Sequence, residues 1–226
     1  MSEDIKSRSI IGPLNIYSML ALSGVVGPLV LIVADLTAAI SQQGYSPIRD
    51  SISSLAWSPM GWLQTIGFLA VGLLVEIFVG GLFFSIRGGR GFGLGISLLV
   101  CFGFGLLLIG AFRTDPIGGQ QTIEGIIHSI TAKAVFFIFP IASFLIALSL
   151  RKDLRWKGFF VHTAVTSSLA LALIIGRLWL SDEMSWFGLY ERILVANTII
   201  WVLVMAFRLL RLSLSKSEKL DKLTMS

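Results

Sequence analysis

Residues Trp62–Phe84 read WLQTIGFLAVGLLVEIFVGGLFF, and one charge, Glu76, interrupts them. At about 1.5 Å of rise per residue, ~20 apolar residues cross a hydrocarbon core of about 30 Å, so this run has the length of a transmembrane helix. Five more runs of the same kind surround it, at about Leu14–Ala39, Phe92–Phe112, Ile126–Leu150, Phe159–Leu180 and Leu194–Leu214. The 226 residues are 55% hydrophobic and only 14% charged, with a mean hydropathy of +0.86. A soluble domain carries about a quarter charged residues. The composition excludes a soluble enzyme, a disordered chain and a disulfide scaffold. It predicts an all-α, polytopic membrane helix bundle with six transmembrane helices. The expected organisation is a cytoplasmic segment 1–13, a transmembrane domain 14–214 and a basic cytoplasmic tail 215–226. The first run is too long for a secretory signal and lacks a small-residue cleavage site, so it is expected to be retained. Pro28 and Pro140 fall inside spans and are expected to kink them.

The net charge of +5 is carried by short links between spans, not by a patch on a soluble domain, so no nucleic-acid partner is expected. With the N-terminus inside, the inner segments hold 13 Lys and Arg, and the outer loops hold three, Arg49, Arg113 and Arg192. By the positive-inside rule both termini are cytoplasmic. Trp57, Trp62, Trp156, Trp179 and Trp186 lie near span ends, where an indole suits headgroup depth; Trp201 does not. The single cysteine, Cys101, sits in an apolar run and leaves no disulfide or thiolate metal site.

The glycines are mostly within spans. Gly91-Phe92-Gly93-Leu94-Gly95 resembles a dinucleotide fingerprint only as letters, because no strand precedes it. Gly72, Glu76 and Gly80 share one face of the second span, which is expected to pack against a helix and turn Glu76 inward. Such faces also offer contact to other membrane protein subunits.

Polar residues at depth are costly, so their placement is informative. Asp35, His128, Lys133, Arg177 and Asn197 fall in the outer half, against Glu76 and His162 in the inner half. The first outer loop opens on Ser46-Pro47, a helix-start signal. Tyr45, Ile48, Ile52 and Leu55 then recur at helical spacing, which predicts a short amphipathic helix at the interface. Its polar side, with Asp50 and Ser53, either closes over the bundle or is simply solvated. Glu124 and His128 are four apart on the fourth span, and His128 can be a proton carrier, a metal ligand or a hydrogen-bonded structural residue. Lys133 needs a partner, with Asp35 the first choice and Asp115 the second. His128 and His162 fall at opposite ends of their spans, about 20–25 Å apart, too far for one haem iron. No cofactor is expected; a zinc centre would require His128 to recruit carboxylates such as Asp35 and Asp115, which the spacing does not support.

Tyr45-Ser46-Pro47-Ile48-Arg49-Asp50-Ser51-Ile52-Ser53-Ser54-Leu55 resembles the loop signature of the domain-of-unknown-function 998 membrane proteins. Arg113-Thr114-Asp115-Pro116, followed by His128, resembles that family's second signature. The resemblance runs from about Gly24 to Leu210 and implies a compact bundle of about six helices in a prokaryotic-type plasma membrane, with no reaction attached. A more distant likeness to the alkaline ceramidase and adiponectin receptor-like hydrolases lacks their paired histidines on a late helix, and carries over no catalytic role.

Three functions remain. The first is a lipid- or partner-binding membrane component with an outward-facing polar site formed by Arg49, Asp50, Ser53, Arg113, Lys133 and Arg177. The second is a hydrolase-like membrane enzyme acting on a lipid or amphiphile at the outer leaflet, with Asp115, His128 and Asp35 as acid/base residues and Arg49, Arg113 and Arg177 steadying an anionic group. The third is a small transporter relaying charge through Glu76, Lys133 and Asp35. No internal repeat or pair of broken helices supports transport. Membrane lipids are the expected partners.

Overall fold

A computed structural model describes residues 15–116, 118–177 and 185–224, with side chains described except at 177 and 216–224. Six helices follow in order: α1 (Ile16–Ser41), α2 (Gly61–Ser85), α3 (Phe92–Ala111), α4 (Ile123–Leu150), α5 (Phe160–Arg177) and α6 (Phe187–Thr224). No strand occurs among the described residues. Each helix carries an apolar segment long enough to cross a bilayer, and the chain is a multi-pass membrane protein.

Local chemistry sets the helix starts. The Asn15 side chain accepts from the Ser18 N–H, and Thr122 accepts from the Gly125 N–H, each satisfying a donor that the first turn leaves open. Gly91 enters α3 at φ 82, a left-handed conformation that favours glycine. Pro28 and Pro140 lie within α1 and α4, and both helices continue past them. α6 begins about two turns before the apolar run that announces it. It also continues through the basic segment to Thr224, 38 residues in all. At about 57 Å it is longer than a hydrocarbon core of about 30 Å.

Helices α1 to α4 pack in sequence, α6 returns against α1, and α5 leans mainly on α4. The core centres on Phe139, whose ring lies 5.5 Å from those of Phe102 and Trp201. Phe78, Leu82, Met205 and Leu209 extend it along α2 and α6. Large apolar side chains such as Val33, Phe84 and Val165 remain exposed, the outer surface of a chain whose solvent is lipid. Association in lipid gains little from apolar burial and relies on close packing and interhelical hydrogen bonds. Both occur. Gly67 lies against Ala34, and Gly72 against Leu107 of α3. Ser18 meets Ser213 at 2.9 Å, Ser143 meets Ser167 at 2.7 Å, and Asn197 donates to the Thr166 carbonyl at 3.1 Å.

Glu76 turns inward, its carboxylate leaning on the Gly103–Phe104 backbone of α3, and Gly72 of the same face packs as expected, but Gly80 has no described neighbour within 4 Å and does not. Trp156 departs from expectation. It is fully buried, with its indole N–H directed to the Ser85 hydroxyl at 3.3 Å, and serves as a packing residue and not an interface anchor. Trp57, Trp62 and Trp186 are exposed; Trp179 lies outside the described residues.

Candidate functional site: a lidded cavity

The link 42–60 is ordered by its own residues before it touches the bundle. The predicted amphipathic helix is instead a tight turn followed by a 3-10 helix, Ser53–Trp57. The Asp50 carboxylate accepts the Ser46 N–H at 2.8 Å and pairs with Arg49 at 3.0 Å, and this closes the turn after a single cycle. The Arg49 guanidinium beside Asp50, helped by the Ser46 N–H, holds that carboxyl below its usual range against a smaller opposing effect of burial.

The turn is fastened to α6. The Gly188 and Leu189 N–H groups, open donors at the start of that helix, reach the carbonyls of Arg49 at 3.2 Å and Ile48 at 2.9 Å. Glu191 returns the contact by accepting the Ile52 N–H at 2.7 Å. Arg192 donates to the Pro47 carbonyl at 2.9 Å, to the Asp50 carbonyl at 3.0 Å and to the Tyr45 hydroxyl, and its guanidinium lies over the Tyr45 ring.

The other half of the link is fastened to α3 and α4. The Trp57 indole N–H donates to the Thr114 carbonyl at 2.9 Å, with Arg113 stacked over its ring. His128 is buried, its Nδ1 2.8 Å from the Phe112 carbonyl oxygen and its Nε2 3.0 Å from Ser53 Oγ. A carbonyl only accepts, so Nδ1 carries the proton. In the neutral ring Nε2 is then an acceptor, and Ser53 donates to it. The link thus forms a lid across one end of the bundle, pinned on both sides.

Beneath the lid is a cavity of about 330 Å³. Its walls are apolar: Val71 and Val75 of α2, Phe102, Leu106 and Ile109 of α3, Ala132, Val135 and Phe136 of α4, and Val195 and Ile199 of α6. Its polar lining comes from Asp35, Ser53, Glu191, Arg192 and Thr198. Among the described residues the hydrogen-bond partner of Asp35 is the Gln64 amide at 3.5 Å. An apolar pocket with a few convergent polar groups is the usual form of a small-molecule site, for which ~300–1,000 Å³ is the ordinary range.

The family model described as protein of unknown function (DUF998) matches residues 25–208. The chain belongs to the DUF998 family. No curated protein and no solved structure matches it. The matched DUF998 segment contains the lid, all the cavity-lining residues and the pinning residues of α3, α4 and α6.

The structure brings some of the expected site residues together and leaves others out. Asp35 and Ser53 line the cavity, and His128 stands directly behind Ser53. Asp115 is elsewhere: its carboxylate accepts the Thr122 N–H at 3.1 Å and hydroxyl at 2.6 Å, and so holds the residue that caps α4. Gly125 makes that possible, since a Cβ there would run into the Asp115 carboxylate. Arg49 and Arg113 are exposed and occupied with Asp50 and Trp57, so neither reaches the cavity. Asp50 shapes the lid turn.

The expected Lys133–Asp35 ion pair does not form. Lys133 is exposed and has no ion-pair partner among the described residues. The cavity side of α4 is taken by Ala132, Val135 and Phe136, and Lys133 is about 100° round the helix from Ala132. The Arg177 side chain, with Asp182 and Glu183, lies outside the described residues. Among the described residues no group of three or more His, Cys, Asp or Glu is placed to hold a metal ion.

Of the polar lining, Thr198, Glu191 and Arg192 are not among the expected site residues, and the last two read from the sequence as outer-loop charges. Starting the last span at Leu194 leaves both in a loop. The apolar Phe187, Leu189 and Tyr190 just before them are the signal that the helix begins earlier.

Proposed function

We propose that the chain binds a single-chain amphiphile with an uncharged head, tail in the cavity and head beneath the lid, at the outer face of the plasma membrane. The observation that carries this reading is the cavity lining: apolar residues from α1, α2, α3, α4 and α6, with polar groups contributed by α1, the lid and α6. The choice of an uncharged head follows from the charges. Asp35 and Glu191 outnumber Arg192, whose guanidinium is already committed to the Pro47 and Asp50 carbonyls and to Tyr45. Among the described lining residues an anionic head would meet two carboxyl groups and no uncommitted cation. This replaces the anion-steadying role expected of Arg49, Arg113 and Arg177. Orientation with the lid outside rests on the 13-to-3 distribution of Lys and Arg.

A monoacylglycerol bearing a diazirine in its tail tests the reading in protein reconstituted into bilayers. Light-induced adducts are expected on cavity residues such as Val75, Phe102 and Val135, and an equivalent photoreactive fatty acid is expected to label them at least ~10-fold less. Ala132→Phe, which places a ring in the cavity, is expected to cut the monoacylglycerol adducts by a similar factor. Adducts confined to lipid-facing residues such as Val33 and Phe137 would refute cavity binding.

A further inference from the structure

Ser53 does more than line the cavity. Its hydroxyl meets Nε2 of His128 at 3.0 Å, and His128 is not itself a lining residue. The His128 ring is held from behind by the Phe112 carbonyl, and this places the lone pair of Nε2 on the Ser53 side. A serine hydroxyl donating to an imidazole whose second nitrogen is oriented by a fixed acceptor is the arrangement that activates a nucleophile.

We infer that Ser53 and His128 form a nucleophile–base dyad that cleaves the ester of a single-chain, uncharged acyl ester held in the cavity. This inference rests on the amphiphile reading above. In the first step Ser53 Oγ bonds to the acyl carbon while its proton passes to His128 Nε2. The carbon–oxygen bond to the alcohol then breaks, and the alcohol leaves with that proton. In the second step water, its proton taken by His128, attacks the acyl-serine; the carboxylic acid leaves and Ser53 recovers its proton. No oxidant, metal or further reactant is needed. Asp115, engaged with Thr122, has no part in it, and the orienting third group is a backbone carbonyl in place of a carboxylate.

The test uses the full chain in bilayers and an alkyl fluorophosphonate, whose phosphorus bonds to the oxygen of a nucleophilic serine as the P–F bond breaks and fluoride leaves. Peptide mapping is expected to find the adduct on Ser53. His128→Gln is expected to slow its formation at least ~100-fold, the usual contribution of a general base. Turnover of p-nitrophenyl octanoate is expected to be lost in Ser53→Ala. Wild-type protein alone decides the matter, since the position of the adduct is read directly even if a variant fails to fold. Monoacylglycerol adducts in the cavity without modification of Ser53 would overturn the dyad and leave the binding reading standing. Absence of both would overturn the two together.

Discussion

Gly188→Ala is expected to lift the lid from α6. A Cβ at this position would collide with the backbone carbonyls of Pro47 and Asp50, and backbone cannot rotate aside as a side chain does. The same step of the helix supplies the Gly188 and Leu189 N–H donors to Arg49 and Ile48, so the displacement breaks hydrogen bonds as well as contacts. Overpacking costs ~1–3 kcal/mol, and each lost backbone hydrogen bond adds ~1 kcal/mol. A loss of about 3 kcal/mol is expected, concentrated locally: amide exchange at Ile52 and Leu189 accelerates by at least ~10-fold while core amides near Phe139 hold. Arg192→Ala removes the donors to Pro47, Asp50 and Tyr45 from the same junction and is expected to accelerate exchange at the same two amides. Unchanged exchange at Ile52 in both variants would mean that the lid does not depend on α6.

The junction explains what a linear reading can and cannot reach. All six spans are legible because ~20 consecutive apolar residues have few alternatives to a membrane helix. Depth is legible too: Asp35, Ser53 and His128 fall at one end of the bundle by counting residues along their helices. Azimuth is harder. Lys133 has the depth of Asp35, but its angle on α4 turns it away from the cavity, and an angle depends on which helices become neighbours. The contacts of Asp115 are hidden for a related reason. Its partner, Thr122, lies across a short link whose path is set by where α3 ends and α4 begins. The carboxylate beside a proline therefore looks available when it is holding a helix cap. The place of Arg192 turns on the smallest scale of all, a helix start displaced by about two turns. In each case the residue types are visible and the geometry between neighbouring elements is not.

At the opposite end of the bundle, Asp153→Asn is expected to produce the largest loss of stability of any single polar substitution. Asp153 is 2% exposed and sits between α4 and α5, outside the apolar segments. One oxygen accepts the Arg87 N–H at 2.9 Å and the Arg155 guanidinium at 2.8 Å. The other accepts the Arg155 N–H at 3.0 Å and Nε at 3.1 Å. Arg155 in turn donates to the Ser85 carbonyl, and Arg208 of α6 donates to the Arg155 carbonyl. One carboxylate thereby joins the ends of α2, α4 and α6. Burial alone would push its carboxyl up, but the hydrogen bonds from Arg155 and the Arg87 N–H together outweigh that and bring it down to about 2. Asparagine keeps one acceptor oxygen and turns an amide donor toward donors already present, so ~2–3 kcal/mol is expected to be lost. The sign of the pH dependence follows from the lowered value. The contribution of Asp153 is full above the ordinary carboxyl value near 3.8 and disappears as pH falls through about 2. Its size over that window is ~1–2 kcal/mol, discounted because the Arg155 side chain is 46% exposed and screened by water. Thermal unfolding in detergent, followed by circular dichroism, is expected to show wild type losing this increment between pH 4 and pH 2 while Asp153→Asn does not. Parallel curves with a common midpoint would show that the three helix ends are held without this carboxylate.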